Sequence, residues 1–480
     1  MFQDKGWRFY LDWAILIICP IFLLLWHLPG LEMPYIVMVI GLLLMASALT
    51  TIDPLRSLYL LLFSIVLEVR GDVYGNFTVS STEIILAVIF VVWLIRIIVR
   101  RQVHQNWVPL AGWTLLFLAC LVATLTMAWD KTGTIKHIFR WLEMFVAIVL
   151  VTNIVRAQKL LRFWNILLFV AYGSAIIAIL QSAIPSLMTI FPPATAHKPA
   201  VLFKTLVRAY GSFEFPNTLA AFLNLGIFLS LGRILYGYKR RIDWAVHLVG
   251  LALLAIALLL TYSRGGWLAA FIAFVFIYIM ALARRFFPRR RLAIIGLVIL
   301  AFISISIPLI PTIFPSAYQR IISVGELSDE APAMDRAKNL QNGLKMVADH
   351  PIFGIGTLGS DYKVMQEVGT SYDIIDLQKN AWGYTYILYL QIAVEYGLLG
   401  LAAFLTYIVL TYRSFFRAMH KDSFSPLVAG LLAVMTVYLA HGLFEVLLFR
   451  SLHIAFGMVL GMGFALSRRG EDGWGYPGED

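Results

Sequence analysis

Long apolar runs separated by short polar connections dominate the chain, and polar positions do not alternate with apolar ones inside those runs. Runs of roughly 20 residues without a period of two predict membrane-crossing helices rather than barrel strands. In hydrocarbon every backbone N–H and C=O must pair within the protein, and a helix does this segment by segment. Hydropathy windows place about fourteen spans. They open near Leu11, Pro34, Ser57, Val79, Val108, Ile138, Phe163, Asn217, Asp243, Gly265, Leu292, Tyr384, Phe424 and Ser451. Ser57 to Leu67 is short and ends on Glu68 and Arg70, so the expectation is an all-α polytopic membrane protein of about 12–14 transmembrane helices. The first run, Leu11 to Leu28, has no small-residue cleavage site after it and reads as a retained helix.

Two segments interrupt the apolar pattern. One, Ala183 to Pro216, contains Pro185, Pro192, Pro193, Pro199 and Pro216. The other, residues 314–383, is the expected large extracytoplasmic loop subdomain, placed before the last three helices. Within it Met334, Ala337, Leu340, Leu344 and Val347 recur at three- and four-residue steps, predicting an amphipathic helix from Pro332 to Asp349 with Pro351 just beyond. The expected organisation is helices 1 to 11 in residues 1–313, the loop subdomain, the last helices in 384–467, and a disordered tail from 468.

Composition supports the membrane assignment. Of 480 residues 60% are hydrophobic and only 14% charged, with a mean hydropathy of +0.83; a soluble domain is typically about a quarter charged. The net charge of +11 does not indicate nucleic acid. With the N-terminus inside, the clusters at Arg96/Arg100/Arg101, Arg156/Lys159/Arg162, Lys239/Arg240/Arg241, Arg284 to Arg291 and Arg413/Arg417/Lys421 all fall on cytoplasmic connections. Both termini are then cytoplasmic, and the basic charge reflects topology and attraction to membrane lipids. Cys19 and Cys120 lie in separate apolar runs, which predicts neither a disulfide nor a thiolate metal site.

Polar residues at span ends are the candidates for chemistry. Arg264 stands between two apolar runs in Tyr262-Ser263-Arg264-Gly265-Gly266, a tight hairpin expected to bring its guanidinium to the outer membrane face. Ser263 and Gly265 flank it, and the glycines would let backbone N–H groups approach a ligand. A planar arginine fork suits a pair of phosphate oxygens; the competing reading is an arginine snorkelling to lipid headgroups. Arg208 precedes the span that opens at Asn217, a residue suited to capping that helix. If the two helix ends adjoin, Arg208 and Arg264 can share one anion. Glu214 is either an acid–base group or a partner for Arg208, and Arg320 and Arg336 lie in the large loop.

Four segments in order resemble the O-antigen ligase and O-antigen polymerase family of lipid-linked glycan transferases. They are Arg208-Ala-Tyr-Gly-Ser-Phe with Pro216-Asn217; Tyr262 to Gly266; Asp335-Arg336 leading to His350-Pro351-Ile352-Phe353-Gly354-Ile355-Gly356; and Leu390-Gln391 leading to Glu395-Tyr396-Gly397-Leu398-Leu399-Gly400. The resemblance spans roughly residues 120–465 and implies an undecaprenyl diphosphate-linked glycan as donor and a lipid or glycan hydroxyl as acceptor. It implies that Arg208 and Arg264 bind the diphosphate, that Arg336 opens the loop helix, and that transfer is inverting and needs no metal or other cofactor. The chain departs from the family where His-Asn usually precedes Tyr-Leu-Gln: Tyr386 and Ile387 stand there. Tyrosine, with an ordinary pKa near about 10, is a poor base but can orient an acceptor. His441 and His453 on the last helices are the alternatives. A different class, a small-anion transporter of bicarbonate type or a flippase for lipid-linked glycans, would use the same arginines to hold its cargo.

Overall fold

The computed structural model describes residues 35–74, 77–101, 108–191, 201–202, 206–213, 215–237, 240–283, 331–357, 387–419, 425–447 and 451–468, with isolated positions between 18 and 23. Among them are thirteen α-helices. They are α1 (Tyr35–Ile52), α2 (Pro54–Val66), α3 (Ser81–Val99), α4 (Ala111–Ala123), α5 (Lys131–Ile154), α6 (Ala157–Ala183), α7 (Pro216–Tyr236), α8 (Arg241–Leu260), α9 (Arg264–Ala283), α10 (Ala331–Asp349), α11 (Leu388–Met419), α12 (Ser425–His441) and α13 (Leu452–Ser467). Strands are confined to two small antiparallel pairs, β1 (Arg70–Tyr74) with β2 (Phe77–Ser80) and β3 (Val201–Leu202) with β4 (Leu206–Val207). Seven described helices are long and apolar enough to cross a membrane, among them α5, α7, α8, α9 and α11, and five more are shorter apolar helices.

α9 lacks a polar face. In α9 the residues turned to the surface are Leu268, Phe271, Ile272, Val275, Ile279 and Leu282, as expected of a helix sheathed by lipid. Its inward face carries Gly266, Ala269 and Ala273, and small residues are what bring membrane helices close. The crossing of α7 and α12 shows the consequence: a Cβ on Gly232 would lie 2.9 Å from the Gly430 Cα. Gly457 and Gly461 of α13 seat in the same way on Met144, Ile148 and Val151 of α5, and Thr152 Oγ1 donates across to the Gly461 carbonyl at 3.3 Å.

Element ends differ from the sequence expectation where a polar cap intervenes. The span expected at Ile138 opens at Lys131, because Asp130 caps it by accepting from Gly133 N at 2.8 Å. The weak span at Ser57 is the short helix α2, capped by Asp53 accepting from Leu55 N at 3.0 Å. Ser80 and Glu83 form a reciprocal capping box at the start of α3. The span expected at Leu292, most of the 314–383 loop and the tail from 469 lie outside the described residues. Within the loop, the amphipathic segment is α10, packed on α11.

Candidate functional site

Three connections converge at one end of the bundle. Between α8 and α9 the chain reverses in three residues: Thr261, Tyr262 with a left-handed φ of 51°, and Ser263. Ser263 Oγ accepts from Gly266 N at 3.2 Å and so caps α9. Trp267 Nε1 donates back to the Leu258 carbonyl at 3.0 Å, which pins the hairpin. Arg264 is therefore the first residue of α9. A cation there opposes the positive end of the helix dipole, and buried Arg264 Nη1 has no hydrogen-bond partner among the described residues.

The segment before α7 docks on this hairpin. Ala209 N donates to the Leu260 carbonyl at 3.0 Å and Arg208 Nε to the Thr261 carbonyl at 2.8 Å, so Arg208 satisfies acceptors left over at the end of α8. Gln181 of α6 clamps the same segment, accepting from Gly211 N at 2.8 Å and donating to its carbonyl at 2.6 Å. Burial pushes the Tyr210 phenol up to about 12, so it remains a donor, toward the Met188 carbonyl at 3.5 Å.

Asn217 does not cap α7. The cap position is Phe215, with Pro216 following, and the Asn217 amide instead bridges two charges. Its Oδ1 accepts from Arg208 Nη2 at 2.9 Å and its Nδ2 donates to Glu445 Oε2 at 2.6 Å. Glu445 belongs to the turn that closes α12, where Phe444 N and Glu445 N both donate to the His441 carbonyl. That turn sits on the start of α9, since a Cβ on Gly265 would meet the Phe444 Cβ at 2.7 Å. Gly265 and Gly266 thus serve close packing, on Phe444 and on Ala220, rather than ligand approach. His441 is 1% exposed, and neither ring nitrogen has a partner among the described residues.

Of the residues singled out from sequence, Arg208, Asn217, Ser263, Arg264, Gly265 and His441 are thus carried by neighbouring turns. Two guanidiniums, one carboxylate and the N-termini of α7 and α9 give this end a positive balance suited to a polyanion. Glu214, Arg320 and Tyr386 lie outside the described residues, and Arg336 is placed only as a backbone position on α10.

A second polar cluster lies where the sequence pattern opens its sixth span at Ile138, one turn or more inside the observed start at Lys131. α5 carries His137, Arg140 and Glu143 at three-residue spacing, which puts them on one face and was the available signal. Glu395 Oε1 accepts from Thr357 Oγ1 at 2.7 Å and from Gln391 Nε2 at 2.6 Å, while its Oε2 lies 3.2 Å from His137 Nδ1. Arg140 Nη1 is 3.1 Å from His137 Nε2; an arginine only donates, so the ring proton sits on Nδ1 and faces Thr357 and Glu395. His453 Nε2 pairs with Glu143 Oε2 at 2.8 Å, which ties α13 to α5 and takes His453 away from the arginine pair.

The cluster anchors the His350 to Gly356 motif. α11 is broken at Gly397, with φ 70° and ψ −178°. Ile355 N and Gly356 N donate to the Val394 and Glu395 carbonyls at 2.9 and 3.0 Å, and Leu398 N to Pro351 O at 2.7 Å. The loop motif thereby repairs the hydrogen bonds that the break would leave open in a membrane helix.

These features define a polytopic α-helical membrane protein in which Arg208 and Arg264 are carried by adjoining turns at one end of the bundle. Residues 249–405 match the family model described as O-antigen ligase, in keeping with the resemblance read from the sequence. Three of the four segments quoted above lie inside the match, while Arg208 to Asn217 precedes it. No curated protein matches the chain.

Proposed function

We propose that the protein transfers a glycan from an undecaprenyl diphosphate carrier to an acceptor hydroxyl at the outer face of the cytoplasmic membrane, with inversion at the anomeric carbon. The observation that carries this reading is Arg264: a guanidinium at a helix start whose buried Nη1 has no hydrogen-bond partner among the described residues, on the same hairpin that Arg208 docks against. The acceptor oxygen attacks the anomeric carbon as the bond to the diphosphate breaks and its electron pair passes to the leaving group. The charge that grows there is met by two guanidiniums, and the Thr261 carbonyl and Asn217 set the orientation of Arg208 before the reaction begins. Positioning and leaving-group stabilisation supply most of what this reaction needs, and no metal ion is assigned a part in it. The basic clusters on alternate connections support cytoplasmic termini and an outer site.

The second reading, transport of a small anion or flipping of a lipid-linked glycan, draws on the intramembrane cluster of His137, Arg140, Glu143, Glu395 and His453. Ionisable groups inside spans often mark transport paths. Here, however, they hold one another and the loop motif, which fits a structural clasp better than an ion path. Extracting lipids from a deletion strain tests the choice. Accumulated carrier-linked glycan is the expected result; an unchanged pool with altered anion uptake would overturn the transferase reading.

A further inference from the structure

We propose that Glu445 is the base that takes the proton from the acceptor hydroxyl, a role that rests on the transferase reading above. Glycosyl transfer to a hydroxyl releases one proton for each bond formed, so a base near the reacting centre lowers the barrier. Of the candidates drawn from the sequence, Glu214 lies outside the described residues and His453 is held by Glu143; Tyr386 and His441 fill the role poorly. Tyrosine at Tyr386 is a weak base. His441 is 1% exposed, and neither of its ring nitrogens has a hydrogen-bond partner among the described residues.

Glu445 meets the requirements that can be read from geometry. It sits one turn beyond His441, on the turn packed against Gly265 at the start of α9. It is partly exposed, unlike His441. Its Oε2 is held by Asn217 Nδ2 at 2.6 Å, and the opposite end of the same amide holds Arg208 Nη2 at 2.9 Å. One amide thereby fixes, relative to each other, the group that receives the proton and a group that grips the leaving diphosphate. Asn217 is the positioning residue of the pair, and its amide orientation follows from having a donor on one side and an acceptor on the other.

In the step assigned to Glu445, the acceptor O–H proton moves to a carboxylate oxygen as the new C–O bond forms. The anomeric C–O bond to the diphosphate breaks, and its electron pair leaves on the diphosphate facing Arg208 and Arg264. Protonated Glu445 then returns its proton to water.

The test uses the full chain in lipid nanodiscs, with undecaprenyl diphosphate as the binding probe and the carrier-linked glycan pool extracted from host membranes as donor. Glu445→Gln keeps an oxygen for Asn217 to donate to but cannot take a proton. Transfer should fall by about a hundredfold or more, while undecaprenyl diphosphate binding stays within about twofold, since a base contributes to the chemical step and not to carrier affinity. In Glu445→Ala, added azide should restore carrier release and yield a glycosyl azide, because azide attacks without losing a proton; the native chain should give little of that product. Full transfer by Glu445→Gln, or loss of carrier binding together with transfer, would overturn the base assignment. A native chain that transfers nothing would instead remove the transferase reading itself.

Discussion

The Thr357 hydroxyl donates to Glu395 Oε1 at 2.7 Å while lying 2.8 Å from His137 Nδ1, so one loop side chain joins α5 to α11. Thr357 is the last described residue after the His350 to Gly356 turn, and its own N–H donates to Thr134 Oγ1 at 2.9 Å. Thr357 therefore ties the loop to α5 and α11 at once, alongside the backbone bonds that Ile355 and Gly356 make to α11.

Replacing Thr357 with valine keeps the shape and removes the hydroxyl. Glu395 then loses one of its donors and His137 an acceptor, in a site with little water to substitute. Leaving a buried polar group short of a partner costs about 1–3 kcal/mol. Thr357→Val should lower the thermal midpoint of detergent-purified protein by several degrees, and Thr357→Ser should restore most of it. An unchanged midpoint for the valine variant would show that the clasp is not holding the loop.

Gly397 gives a sharper contrast. A Cβ there would collide with the Ile352 carbonyl, and φ 70° with ψ −178° is a region open essentially to glycine alone, costing other residues about 1–3 kcal/mol. Gly112 has nothing within 4 Å of a built Cβ. Gly397→Ala should reduce folded yield and free the loop to proteolysis, while Gly112→Ala should behave as the native chain. Comparable protease sensitivity in both would contradict the docking of the motif on the helix break.

Much of this was legible in the residues because hydropathy and glycine placement act locally. Spans from Tyr35 to Leu452 announce themselves by runs of apolar side chains, and the Tyr262 to Gly266 reversal by a short polar break between two of them. What was not legible depends on which helices become neighbours. Asn217 looked like a cap from its place before an apolar run, yet Pro216 takes the first helical position and leaves the amide to reach Glu445, 228 residues away in sequence. Glu445 itself lies in an apolar stretch with no local pattern to mark it. His137, Arg140 and Glu143 were visible as a three-residue repeat, but their partners on α11 and α13 follow only from the packing of α5.

The proposed sidedness rests on the distribution of charge and is tested directly. With Cys19 and Cys120 replaced, a cysteine placed at Ser328 should react with a membrane-impermeant maleimide added to intact cells. One placed at Ser467, at the end of α13, should react only after permeabilisation. The reverse pattern would put the arginine site on the cytoplasmic side and remove the carrier-linked glycan reading.

Arg264 carries the most weight and offers the clearest separation of roles. If its guanidinium meets charge that grows on the departing diphosphate, its worth is greatest in the transition state. Removing a donor of that kind costs on the order of 3 kcal/mol, about a hundredfold in rate. Arg264→Lys keeps the positive charge but loses the planar two-pronged fork, so it should retain partial activity, with Arg264→Ala far lower. Folding does not draw on the group, since its buried Nη1 has no protein partner among the described residues. A cation at the first turn of α9 is also slightly unfavourable to the helix. Both variants should therefore insert at native levels, and Arg264→Ala should melt at or slightly above the native midpoint. A headgroup anchor would behave oppositely, with yield falling and transfer per folded molecule unchanged. Transfer measured per unit of purified, folded protein distinguishes the two, and full specific activity in Arg264→Ala would end the diphosphate assignment for Arg264 and draw Arg208 into question with it.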